Sequence, residues 1–202
     1  MQFAGKDCTG TSTDTYEGGG KDADPDHRPK DKGQHMKDEK FKVVGRKEIT
    51  DILSLSIQKH INPHNDPRIY WAKEVTFDYA TSNAIRVDFM KFSPVNNTVS
   101  GIEKGDFYCY EVKSSVADFH SKNGHNFIGD YNYYVMPEEV YEKVKNEVPY
   151  YAGVFVPEGI NYHRECYNLK SVKKARRKDR DRPVSEMLLM MFRSCARDIE
   201  RR

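Results

Sequence analysis

An aspartate at position 88, a glutamate at 111 and a lysine at 113 are residue types that can hold a hard cation and set a positive charge beside it. In a strand, side chains two residues apart share a face at about 6.7 Å, so Glu111 and Lys113 point the same way. In Ile85-Arg86-Val87-Asp88-Phe89-Met90 the apolar Ile85, Val87 and Phe89 form one stripe, which leaves Arg86, Asp88 and Met90 on the opposite face. If the two segments pair as neighbours, about 4.8 Å apart, one carboxylate from each strand and one ammonium converge. Two carboxylates, the Val112 carbonyl and waters suit Mg²⁺ or Mn²⁺, hard cations that take oxygen ligands. Such an ion lowers the pKa of a bound water and stabilises charge developing on a phosphate, while Lys113 orients the water or offsets the negative charge. The implied reaction is phosphodiester hydrolysis; the competing reading is an exposed salt-bridged face of little energetic weight.

The surrounding pattern supplies elements to hold these residues. Trp71–Tyr79 alternates apolar and polar as a strand and turns through Thr81-Ser82-Asn83 into the Asp88 strand. Ser93–Gly105, with Pro94, Asn96-Asn97, Gly101 and Gly105, reads as a long hairpin loop. After Lys113, Ser114-Ser115 begins a helix, with Ser115 and Asp118 spaced as a capping box. Amides at a helix start favour anions, so Ser114 and Ser115 are candidate phosphate contacts or simply caps, and Lys122 follows in the next loop. Tyr131–Met136, Glu138–Glu147 and Tyr150–Val156 read as strand, helix and strand, a unit that is normally parallel. Upstream, apolar residues recur at helical spacing between Gly45 and Asn62-Pro63. On that helix Glu48 either supplies a further carboxylate or complements the helix N-terminus, and Asp51 is the lesser candidate. The fold expected is α/β, a central mixed sheet flanked by helices.

Asp88, an intervening turn and Glu111-x-Lys113 together resemble the signature of the PD-(D/E)XK nuclease superfamily. The run Glu111-Val112-Lys113-Ser114-Ser115-Val116-Ala117-Asp118-Phe119, with the Tyr-rich strand Asp130–Met136, is similar to its MmcB-like DNA-repair branch. The resemblance covers roughly Lys42–Pro157, and the connection Ser93–Gly105 is longer than that family's usual turn. It implies a restriction-endonuclease-like sheet and a Mg²⁺-dependent DNA endonuclease acting in repair or in processing of mobile-element or phage DNA. Asp88, Glu111 and the Val112 carbonyl would hold the metal, Lys113 would act at the water, and a helical glutamate, here Glu48, would complete the site. The alternative is a non-catalytic nucleic-acid-binding protein that keeps the fold; a third reading is a partner-binding protein whose acidic pair is incidental.

Composition frames these readings. The 202 residues are 37% hydrophobic and carry a formal charge of +2, which allows one modest core and leaves nucleic-acid contact to local patches. Residues 1–40 are nearly devoid of aliphatic residues and read as a disordered tail. Gly33-Gln34-His35-Met36 within them is either an expression-derived junction or part of a native N-terminus. The nuclease domain is expected over residues 41–168, followed by a basic segment and amphipathic helix over 169–202. In the run Lys170–Lys178, Lys173, Lys174, Arg176 and Arg177 are candidate backbone contacts for DNA, and Tyr131 is a candidate base-stacking residue. Met187, Leu188, Met191, Phe192 and Cys195 give the last helix an apolar face for the domain, a homodimer or a partner protein. There is no membrane-spanning run and no signal segment, so a cytoplasmic setting with reduced cysteines is expected.

Overall fold

A computed structural model describes residues 45–161 and 166–200 of the chain; the tail expected over residues 1–40 lies outside the described residues. Helix α1, Arg46–Ile61, buries Leu53, Ser56, Ile57 and Ile61 along one stripe and ends before Pro63, which cannot continue it. Asn62 closes the exit, its amide donating to the Asp66 carbonyl at 2.9 Å and accepting the Asp66 N–H at 2.7 Å. Strands β1, Tyr70–Phe77, and β2, Ile85–Ser93, form an antiparallel hairpin. The connection to β3, Asp106–Val112, holds a short helix α2, Val99–Glu103. Thr98 caps α2 by accepting the Gly101 N–H at 3.1 Å. Thr98→Ala is therefore expected to cost about 1 kcal/mol, read as a lower midpoint in urea with the transition slope unchanged.

Helix α3, Val116–Phe119, precedes β4, Tyr131–Val135; α4, Glu138–Val144, precedes β5, Gly153–Asn161; β6, Cys166–Lys173, and α5, Val184–Glu200, complete the chain. The six strands lie in sequence order in one mixed sheet. β3 with β4 and β4 with β5 are parallel, and the other neighbours are antiparallel. Gly129 is required where β4 begins, because a Cβ there would stand 2.7 Å from the Cys109 sulfur and 2.9 Å from the Phe107 carbonyl.

Three packed clusters cover the sheet. Phe77, Val87, Met90 and Phe107 pack with Met187 and Met191 of α5; Phe119, Tyr134 and Val154 pack with Val140 and Val144 of α4; Phe89, Tyr110 and Phe155 pack with Leu53 and Ile57 of α1. This corrects the single stripe read for Ile85, Val87 and Phe89, because Val87 faces the α5 cluster while Phe89 faces the α1 cluster. The alternation turns over at Asp88. On the paired strand Glu74 takes a left-handed backbone, φ 51°, between Lys73, which pairs with Phe89, and Val75, which pairs with Val87. Asp88 thus sits at a twist in the hairpin rather than on a uniform polar face.

The boundary expected after residue 168 falls inside β6, and the basic run becomes part of the sheet and of a strap beside it. Asp130 is 1% exposed and accepts the Phe107 N–H at 2.8 Å, Arg180 at 2.7 Å and Arg177 at 3.2 Å. Among the described residues no helix is long and apolar enough to cross a membrane, and Cys109, Cys166 and Cys195 are free.

Candidate functional site

β2 and β3 are antiparallel neighbours, with Phe89 paired to Tyr110, so one further step along the register brings Asp88 beside Glu111. Asp88 Oδ2 accepts the Val112 N–H at 2.9 Å, tying the first carboxylate to the strand that carries the second. Glu111 is 4% exposed, and its Oε1 is buried with no hydrogen-bond partner. Lys113, 2% exposed, donates from Nζ to the Asp118 carbonyl at 3.2 Å and to the Asn123 carbonyl. Gly124, at φ +71°, closes over both side chains: a Cβ at this position would lie 3.0 Å from Glu111 Oε2 and 3.0 Å from Lys113 Nζ. The two termini are therefore no more than twice that distance apart.

Burial pushes the Glu111 carboxyl well above the usual carboxylate range, and the Asp88 carboxyl, within hydrogen-bond reach, adds to the effect. Burial also raises Asp88, opposed by the Val112 N–H, while Arg86 and Lys113 pull down on both carboxyls. Burial lowers the proton affinity of Lys113, and the charges of Asp118, Glu111 and Asp88 oppose that. The arrangement is an acidic pair with one orphaned oxygen, short of positive charge.

These groups line an open cleft of about 880 Å³ between α1, the β1–β2 hairpin and the loop that follows α3. Arg46 reaches in from the first turn of α1 and pairs with Asp118 at 2.8 Å, Arg86 from β2 and Lys122 from the loop. Among the described residues Arg86 and Lys122 have no ion-pair partner. Asn126 ties the loop to β2 by donating to the Arg86 carbonyl at 3.0 Å.

The other sequence-predicted residues divide sharply. Val112 and Lys122 line the cleft. Glu48 does not: it is exposed and accepts the Gly45 N–H at 3.0 Å, and Asp51, further along the same helix, faces the cleft instead. Ser115 caps α3 by accepting the Asp118 N–H at 3.1 Å, and Ser114 donates its N–H and hydroxyl to Asp118 Oδ2 at 3.0 and 3.2 Å. With α3 only four residues long, both serines serve the cap. Tyr131 lies outside the cleft, its ring stacked on Tyr108 with centroids 4.9 Å apart. Lys173 donates to the Val148 and Pro149 carbonyls at 3.0 and 2.7 Å, Arg177 pairs with Asp106 and Asp130, and Arg176 lies over the Tyr150 ring. Lys174 is exposed, and none of these four lines the cleft. Sequence reasoning missed Arg46, Asn123 and Asn126, and it placed Arg86 beside Asp88 on one face of the strand without giving it a role.

The donor set fits a hard divalent cation. The orphaned Glu111 oxygen and the adjacent Asp88 carboxylate are the ligands such an ion prefers, and the cleft admits the waters it retains. Among the described residues no group of three or more His, Cys, Asp or Glu side chains surrounds one point, so the protein side of such a site is these two carboxylates with backbone.

No family model matches the sequence, and no curated protein matches it. The fold is similar to a solved structure, a protein of unknown function from Silicibacter pomeroyi, at 17% sequence identity and a TM-score of 0.48, over 75% of this chain and 86% of that one.

Proposed function

We propose that this protein is a metal-dependent nuclease with a restriction-endonuclease-like arrangement, hydrolysing phosphodiester bonds in DNA during repair or the processing of mobile-element or phage DNA. The observation that carries the reading is the buried, partnerless Glu111 oxygen, set beside Asp88 and Lys113 at the floor of an open cleft. Burying a carboxylate without a partner is costly, and a bound cation removes that cost. Asp88 and Glu111 would hold the ion, which on binding supplies a Lewis acid that activates water and stabilises charge on a phosphate. Lys113, held by two carbonyls, would set its ammonium beside the carboxylates. Arg86 and Lys122 come from two different elements and offer unpaired charge to the backbone of an entering strand, with the exposed Arg46, held by Asp118, beside them.

The test is incubation of the purified protein with plasmid and branched DNA in Mg²⁺ or Mn²⁺, beside Lys113→Ala. Cleavage by the parent and its loss by about 10²–10³-fold in the variant is the expected result; uncut DNA under all conditions removes the assignment. Binding gives an independent check. Replacing Arg46, Arg86 and Lys122 with Ala is expected to flatten the log–log salt dependence of DNA binding by about 0.7–0.9 for each phosphate no longer neutralised, whereas replacing Lys173 and Arg177, which bond within the fold, leaves that slope unchanged. Equal slopes in the parent and the cleft triple variant would place the DNA elsewhere.

A further inference from the structure

His125 lies in the loop between α3 and β4, outside the cleft lining. Its Nε2 stands 2.7 Å from the Phe119 carbonyl and 3.1 Å from the Ser121 carbonyl. Carbonyls only accept, so Nε2 carries the proton and Nδ1 accepts the Tyr134 hydroxyl at 2.5 Å. Tyr134 is fully buried in β4, and the rings of Phe119 and Phe127 pack on it with centroids 5.2 Å away. One imidazole therefore joins the start of the loop, the end of the loop and the sheet.

The chain between those points does a specific job. Asn123 supplies one of the two carbonyls that receive the Lys113 ammonium, and Gly124 closes over Lys113 and Glu111. The other carbonyl belongs to Asp118, at the edge of the same closed loop. Asn126, next to His125, binds the backbone of β2. A buried ammonium needs its acceptors in place, and the segment that carries them is closed by a ring that lies outside the cleft lining.

The geometry points to His125 as a positioning residue: by closing the loop 119–125 onto Tyr134 it sets the two carbonyls that orient Lys113. This rests on the reading of Asp88, Glu111 and Lys113 as a reaction centre, but the hold on Lys113 is measurable without any reaction. Gln retains a donor and an acceptor on one side chain, and Tyr134→Phe removes only the hydroxyl that Nδ1 receives.

The experiment records the ¹⁵N signal of the Lys113 ammonium in the metal-free full chain, assigned with Lys113→Ala, and then cleavage at saturating DNA and metal. The slowly exchanging signal of the parent is expected to vanish in His125→Ala, to persist in His125→Gln and to weaken in Tyr134→Phe. Turnover in His125→Ala is expected to fall about as far as in Lys113→Ala, roughly 10²–10³-fold, with Mn²⁺ affinity and KM for DNA held. Lys113→Ala/His125→Ala should be no worse than Lys113→Ala alone, the non-additivity of residues that act as one unit. A Lys113 signal indifferent to His125, or losses that multiply in the double variant, overturns the positioning role. A signal that responds to His125 in a parent that cuts no DNA supports the hold on Lys113 and overturns the nuclease reading instead.

Discussion

Glu111→Gln is expected to abolish divalent-cation binding and DNA cleavage while making the metal-free protein more stable at neutral pH. The amide keeps the shape of the side chain and removes the charge that burial and Asp88 oppose. The sign follows from linkage. Glu111 has a folded pKa above its unfolded value, so the folded state binds the proton more tightly. The stability this contributes is present at acid pH and is lost as pH rises from the ordinary carboxylate range through the raised folded value. In Glu111→Gln that loss disappears, leaving the smaller contribution of Asp88, which runs the same way. Mg²⁺ acts differently on the two proteins: it should raise the melting temperature of the parent by binding the folded state and leave the variant unmoved. Calorimetric titration with Mn²⁺ and melting curves across pH, with and without Mg²⁺, measure all of this. A variant that still binds the ion, or is less stable than the parent at neutral pH without metal, would show that Glu111 is no strained ligand.

Asp130→Ala is the variant expected to cost most in stability, about 3–5 kcal/mol, because it removes one partner of a buried charged pair and strands the other. Arg180 has a side chain 15% exposed and would keep the Gly105 carbonyl and the Phe107 ring as neighbours, but no carboxylate. The Phe107 N–H at the start of β3 would lose its acceptor as well. By contrast the pair His120 and Glu147, both about half exposed, should be worth little. Urea unfolding of Asp130→Ala beside Glu147→Ala tests the contrast. Losses of similar size would mean that solvent screens Asp130 as it does the surface pair. Cleavage per folded molecule should survive, since Asp130 lies outside the cleft lining.

Apolar spacing and punctuation along the chain were enough to place the elements with strong periodicity. The helix ending at Asn62-Pro63, the strands around Val75 and Val87, the crossover around Glu138 and the last amphipathic helix all stand where that spacing put them. The neighbouring of the Asp88 and Glu111 strands was legible in the same way, since a turn-rich connection favours a hairpin. Pairing and packing settled the remainder. β6 was not legible, because Lys170, Ser171 and Lys173 read as part of a basic run; its extended form comes from backbone pairing with β5, which is blind to side-chain polarity. The turn-over at Asp88 depends on the backbone of Glu74 across the hairpin, a partner that local alternation does not contain. Whether a cation is free is likewise a question about neighbours far along the chain. Arg177 is neutralised by Asp106 and Asp130, while Arg86, with no basic run around it, faces an open cleft. Glu48 and Asp51 differ by less than one helical turn, and only the seating of α1 on the sheet decides which carboxylate caps the helix and which meets the cleft.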